Sequence, residues 1–197
     1  MTGLRARKKQ QTHDALSQAA IALFLERGFD EVSVADIAAA ADVSKPTLFK
    51  YFATKQDLVL HRFADHQHEA ARVVQASSAA PVEALRDHFL NGLTHRDPIT
   101  GLNDHPEVLA YNRLVFTTPA LETHLARFVA SDQQALAVAL GNDLRAEIAA
   151  GCLTSVHQIL SRRNWQAMSS GTSADTYYPT ARVEAVTAYD RLTRGVW

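Results

Sequence analysis

"SVADIAAAADVSKPTLFKYF", residues 33–52, decides how this chain is read. Ser33, followed three residues later by Asp36, has the form of a helix N-cap with an acid at the positive end of the helix. Val34, Ile37, Ala38 and Ala41 then recur at helical spacing and supply a buried face. After the interruption at "ADV", Ser44 starts a second short helix. Pro46 fits in its first turn, where the missing N–H had no helical partner. Two short helices joined in this way have the form of a helix-turn-helix. The second helix is mixed in character. A helical wheel places Leu48, Phe49 and Phe52 toward the preceding helices and Thr47, Lys50 and Tyr51 away from them. Lys45 falls nearer the apolar side, but it lies in the first turn, where a recognition helix meets base edges.

The residue types on the outer side suit DNA. Ser33 and Ser44 stand at helix N-termini, where free N–H groups and the dipole attract phosphate. Thr47 can meet a base or a thymine methyl, and Lys45 can donate to guanine. Tyr51 and Lys55 suit phosphate, a contact that positions without specifying. Arg5, Arg7, Lys8 and Lys9 form a basic arm ahead of the first helix. Residues 1–60 hold 8 Lys and Arg against 7 Asp and Glu, a balance of +1, so the clustering of charge carries the argument. The same turn geometry also joins plain packed helices, and a lysine beside a tyrosine also occurs on a wet face.

Outward from this stretch the pattern stays helical, and strand-like alternation is absent, so an all-α chain is expected. The first helix spans about Arg7 to Arg27, with Leu16, Ala19, Ala20, Leu23 and Phe24 as its stripe. Gly28 suits a C-terminal cap, with Phe29 packing back on Phe24. A fourth helix begins at "TKQD" (54–57), where Thr54 and Asp57 repeat the cap-and-acid pattern, and continues to about Gln75. "ASSAAP" (76–81) breaks it, and Pro81 opens the next helix. A loop at 96–106 precedes a helix to about Thr117. Pro119 opens another to about Leu140. The last two are expected over about 143–168 and 178–196.

The chain has 197 residues and a formal net charge of −1, enough for one or two domains with a sizeable core. No run of eighteen apolar residues suggests a membrane span. The basic N-terminus lacks the apolar segment of a secretory signal. Cys152 is the single cysteine, so an intramolecular disulfide and a cysteine-based zinc site are excluded. A cytoplasmic location is expected. His61, Asp65 and His68 share a helix face and could approach a metal, but the H-E-x-x-H motif is absent and no metal or other cofactor is expected. No nucleophile elbow, P-loop or dinucleotide fingerprint appears, so the chain is expected not to be an enzyme.

From about Arg7 to Phe63 the sequence resembles the TetR family of bacterial transcriptional regulators. The ordered combination carries the resemblance: an apolar helix, "ERGF", "SVADIAAAADVS", "TLFKYF", then a lysine at the start of the fourth helix. It implies an all-α homodimer. An N-terminal three-helix DNA-binding head with a helix-turn-helix would occupy residues 1–60. A C-terminal helical bundle for ligand binding and dimerisation would occupy residues 61–197. Carried over, Ser33, Ser44, Tyr51 and Lys55 match phosphate-contacting positions, and Lys45, Pro46, Thr47 and Lys50 match positions that meet bases. Phe49 stands where tyrosine is commoner, and Pro46 where glycine is commoner. The body from about Ala70 is similar to those of regulators associated with mycofactocin gene clusters.

The expected function is therefore a sequence-specific transcriptional regulator, a repressor released from a palindromic operator on double-stranded DNA by a small, largely apolar effector. An architectural DNA-binding protein without effector control is the alternative. Phe63, His66, Phe89, Leu93, Tyr111, Leu114, Phe128 and Trp165 are the candidate pocket residues. A continuous fourth helix would act as the lever between pocket and head. The homodimer would pair the last two helices of each chain through Ala149, Cys152, Leu153, Val156 and Leu160, with Val183, Val186, Tyr189 and Leu192.

Overall fold

The computed structural model describes residues 3–64 and 66–195. Among the described residues every regular element is helical: α1 (Leu4–Arg27), α2 (Val34–Ala40), α3 (Lys45–Phe49), α4 (Asp57–Ala64), α5 (Glu69–Ala76), α6 (Pro81–Thr94), α7 (Pro106–Thr117), α8 (Pro119–Leu140), α9 (Leu144–Ser169) and α10 (Ala174–Arg194). A single 3-10 turn, Pro98–Thr100, lies inside the expected loop. None of these helices is long and apolar enough to cross a membrane. They form two compact units, residues 3–64 with 110–125, and residues 66–109 with 126–195.

In the first unit α1 packs on α2 and α4. Leu16, Ala20 and Phe24 of α1 are buried, as the stripe requires. Gly28 ends the helix at φ +90°, donating its N–H to the Phe24 carbonyl at 2.9 Å. Phe29 then folds back on Phe24 with ring centroids 4.9 Å apart, as expected from their spacing. Ser17 is buried on α1. Its hydroxyl donates to the Leu58 carbonyl of α4 at 2.9 Å and meets His61 Nδ1 at 3.0 Å. His13 stacks on Phe52 at 4.3 Å and lies 5.0 Å from the His61 ring, so α1, α4 and the end of the α3 turn share one aromatic contact. Residues 110–125, the facing parts of α7 and α8, belong to this unit. Buried Tyr111 donates its hydroxyl to the Val59 carbonyl of α4 at 2.8 Å.

The second unit is a helical bundle in which α10 packs on α6 and α9. Its core holds Leu85, Phe89, Leu93, Leu102, Leu136, Leu153, Leu160, Met168 and Tyr189. Ala174, Ala181 and Ala185 are buried on α10, and their small side chains let its backbone approach its neighbours. The 3-10 turn is bound to α9. Asn164 Nδ2 donates to the Thr100 carbonyl at 2.8 Å and Ser161 Oγ to the Ile99 carbonyl at 2.9 Å. Gly101, at φ +74°, lets this approach happen, because a Cβ there would lie 2.0 Å from the Ser161 carbonyl oxygen.

Four expectations are corrected. The fourth helix is two, α4 and α5, separated by a turn that includes residues 66–68. His68 adopts φ +60°, and its N–H is taken by the Asp132 carboxylate of α8 at 2.8 Å. Ser131 adds bonds to Gln67 at 3.3 Å and His68 at 3.1 Å, so tertiary partners hold a conformation that local propensity disfavours. The last helix begins at Ala174, with Pro179 inside it. The first begins at Leu4, so Arg7, Lys8 and Lys9 lie on α1 instead of on an arm ahead of it, and the Arg5 side chain lies outside the described residues. The expected dimer seam is largely interior: Leu153, Leu160 and Tyr189 are core, with Val156 and Leu192 packed against them. Of the three positions expected to share a metal-binding face, His61 and His68 fall in different units, and Asp65 lies outside the described residues.

Candidate nucleic-acid interface

The two short helices are started by serine caps, reciprocal on α2 and one-way on α3. Ser33 Oγ accepts the Asp36 N–H at 3.2 Å, while the Asp36 carboxylate accepts the Ser33 N–H at 2.8 Å. The Ser33 hydroxyl also donates to that carboxylate at 2.6 Å, and this bond together with the one from the Ser33 N–H holds the Asp36 carboxyl below its ordinary range. Ser44 Oγ accepts the Thr47 N–H at 3.3 Å and shares a bond with Thr47 Oγ1 at 2.9 Å. Between the helices, Asp42 adopts φ +52° and Val43 donates to the Ala38 carbonyl at 2.9 Å. A second box starts α4: Thr54 N donates to Asp57 Oδ2 at 2.8 Å, and Asp57 N to Thr54 Oγ1 at 3.2 Å.

The structure buries Leu48 of α3 completely and Phe52, just beyond the helix, nearly so. Ser33, Ser44, Lys45, Pro46 and Lys50 are exposed, while Thr47 and Tyr51 are half-buried. Phe49 departs from its expected inward direction and is 52% exposed. It stands beside Lys50 and one helical turn after Lys45 and Pro46, in the outward set. The wheel failed here because a helix of five residues gives too short a register to divide its sides.

Lys55 also departs from expectation. Its ammonium donates to the Phe29 carbonyl and sits 4.3 Å from the Phe29 ring centroid and 5.4 Å from that of Phe24. The reason is the free carbonyl end beyond α1, which attracts a cation, together with two aromatic faces. Burial lowers the ammonium pKa, while Asp30 and Glu31 oppose that shift.

The candidate pocket residues divide between the units. Phe63, Tyr111 and Leu114 belong to the first, where Tyr111 stacks on Phe63 at 6.2 Å and its hydroxyl is bonded to α4. His66, Phe89, Leu93, Phe128 and Trp165 belong to the second. There the structure adds a polar cluster that sequence reasoning missed. Glu69 accepts from His66 Nδ1 at 2.9 Å and lies 3.6 Å from His88 Nε2. The hydrogen bonds from His66 and His88 hold the Glu69 carboxyl well below its usual range, and Glu69 raises His88 in turn. His157 of α9 meets the Phe89 ring edge-on at 5.1 Å, and burial pushes its pKa down to about 4. Glu69, His88 and His157 lie on separate helices, so no local pattern could have joined those three, whereas His66 and Glu69 are only three positions apart.

The family model for bacterial regulatory proteins of the tetR family matches residues 16–61. The HTH-type transcriptional regulator TcmR of Streptomyces glaucescens is 30% identical over 175 residues, covering 81% of this chain and 76% of TcmR. MftR of Mycobacterium tuberculosis, which carries the name of a mycofactocin biosynthesis transcriptional regulator, is 27% identical over 140 residues, covering 66% of this chain and 65% of MftR. Among solved structures, NalD of Pseudomonas aeruginosa, a secondary repressor of a multidrug efflux pump, matches with a TM-score of 0.62 at 17% identity, covering 91% of this chain and 97% of NalD. That likeness supports the fold, and the similarity to TcmR carries the family assignment through most of both chains: this chain belongs to the TetR family of bacterial DNA-binding transcriptional regulators.

Proposed function

We propose that the chain is a homodimeric repressor that holds a palindromic operator and releases it when a small, largely apolar effector binds. The observation that carries the reading is α3, which anchors itself through Leu48 and turns Lys45, Pro46, Phe49 and Lys50 outward. Residues 1–60 act as the DNA-binding domain and residues 61–197 as the effector-binding and dimerisation domain. Lys45, Thr47 and Lys50 meet base edges, with Pro46 and Phe49 offering apolar edges to thymine methyls. Ser33, Ser44 and Tyr51 contact phosphate. Lys55 keeps donors beyond the one given to Phe29 and supports the phosphate-facing turn from behind.

His66, Phe89, Leu93, Phe128 and Trp165 contribute to the effector site, with Glu69, His88 and His157 as its polar end. The dimer uses the outer face of α9 and α10, where Leu144, Ile148, Ile159 and Val183 are exposed. Pairing these faces about a two-fold axis makes an isologous interface. A repressor of this kind works in the cytoplasm beside the chromosome. It has no catalytic role, in keeping with relatives named as regulators.

The test is selection of bound duplexes from a random pool by the full chain. The expected result is a palindromic consensus with half-sites about one helical turn, on the order of 34–36 Å, apart or a multiple of it. Binding without enrichment would favour an architectural DNA-binding protein.

A further inference from the structure

α8 contributes to both units, and it carries bonds to both sides of the interruption between α4 and α5. Within the first unit, His124 Nε2 lies 2.9 Å from Asp57 Oδ1 at the start of α4. Within the second, Ser131 and Asp132 hold the 66–68 turn. The Asp57 carboxylate only accepts, so Nε2 of His124 carries the shared proton. The other carboxylate oxygen, Oδ2, accepts the Thr54 N–H at 2.8 Å. One carboxylate therefore joins α8 to the turn that carries Lys55, directly after Tyr51 and Phe52. Both groups of the pair are shielded, His124 with 17% and Asp57 with 27% of the side chain exposed.

We infer that His124 is a positioning residue for DNA binding: by holding Asp57 it fixes the Thr54–Asp57 turn and so the phosphate-facing end of the head. This inference rests on the DNA contacts proposed above. The geometry gives a definite direction. Without the His124 bond, Asp57 keeps its cap but loses the second tether that orients its carboxylate, and the turn opens more often.

The test compares the wild-type chain with His124→Ala, His124→Gln, Asp57→Asn and the double variant His124→Ala with Asp57→Asn. Amide hydrogen exchange over residues 53–58 is measured beside exchange over 16–27 of α1, together with affinity for the selected duplex. His124→Ala should raise exchange at 53–58 about three- to tenfold, the range of one lost hydrogen bond, with little change at 16–27. Affinity for the duplex should fall by a similar factor, and the double variant should bind no more weakly than the weaker single variant. His124→Gln, whose amide can donate from nearly the same place as Nε2, should restore both readouts. Unchanged exchange at 53–58, or an equal rise at 16–27, would overturn the inference. A glutamine variant as impaired as alanine would also overturn it, as would additive losses in the double variant. If His124→Ala fails to fold, the comparison of His124→Gln with Asp57→Asn decides by the same exchange readout. If no duplex is enriched, the operator reading fails by itself, and the exchange arm still judges the His124 bond.

Discussion

α3 and α9 both bury one apolar side and leave apolar residues on the other, yet the surroundings of those residues differ. On α3, exposed Phe49 stands among Lys45, Pro46 and Lys50 on a short helix. On α9, Leu144, Ile148 and Ile159 form a long stripe opposite the buried line of Ala146, Ala150, Leu153, Leu160 and Asn164. Val183 stands outward on α10. An apolar ring beside ammonium groups fits a polyanion that also displays methyl groups, which describes the major groove. An extended aliphatic stripe fits another apolar helix face. An exposed apolar residue does not name its partner. Its neighbours do.

The largest expected effect tests the α9 side. Changing Ile148 and Ile159 together to glutamate should raise the dimer dissociation constant on the order of a hundredfold or more, because charge would enter a desolvated apolar interface. Sedimentation at micromolar protein would then show a monomer with unchanged helical content. A persistent dimer would move the interface elsewhere.

On the α3 side, Phe49→Ala should cost about 1–3 kcal/mol of operator affinity without changing the salt slope, since no charge is removed. Lys50→Ala should lower that slope, because a lysine at a base edge still brings a positive charge among the phosphates. Fluorescence anisotropy across a salt series separates the two. Equal slopes in all three proteins would remove the proposed division of labour between ring and ammonium.

The charges sharpen the same contrast between outward and inward groups. Lys55→Met keeps the aliphatic stem but removes the bond to Phe29 and the cation over two rings. Chemical unfolding should show a loss of about 1–2 kcal/mol. No loss of stability would mean that Lys55 serves DNA alone.

The smallest effect belongs to Glu69 and His88. The folded carboxyl is depressed, so its contribution is present above the ordinary glutamate range and lost as pH falls through the folded value. The folded imidazole is raised, so its contribution is full below its ordinary value of 6.5 and lost as pH rises through the folded value. The pair therefore stabilises most between about pH 5 and 6.5, by at most about 1 kcal/mol because both side chains are partly exposed. The stability difference between wild type and Glu69→Gln should shrink toward pH 8. A difference that is flat from pH 5 to 8 would separate Glu69 from His88.

What the sequence determined by itself was local. The Ser33–Asp36 and Thr54–Asp57 boxes, the Ser44 cap and the Gly28 stop are formed by residues within a few positions of one another, as was the return of Phe29 onto Phe24. Their physics is contained in spacing, so the helix-turn-helix was legible. Only the tertiary structure decided the direction of Phe49, because α3 is too short for its periodicity to separate two faces. The inward turn of Lys55 depended on a carbonyl twenty-six positions earlier in the chain. The interruption of the expected fourth helix depended on Ser131 and Asp132, and the gathering of Glu69, His88 and His157 depended on three helices meeting. On α9 both stripes were apolar at helical spacing, and periodicity alone assigns neither to the core. Packing against α10 and the 3-10 turn made that choice, because burial is a property of what covers a face and not of the face alone.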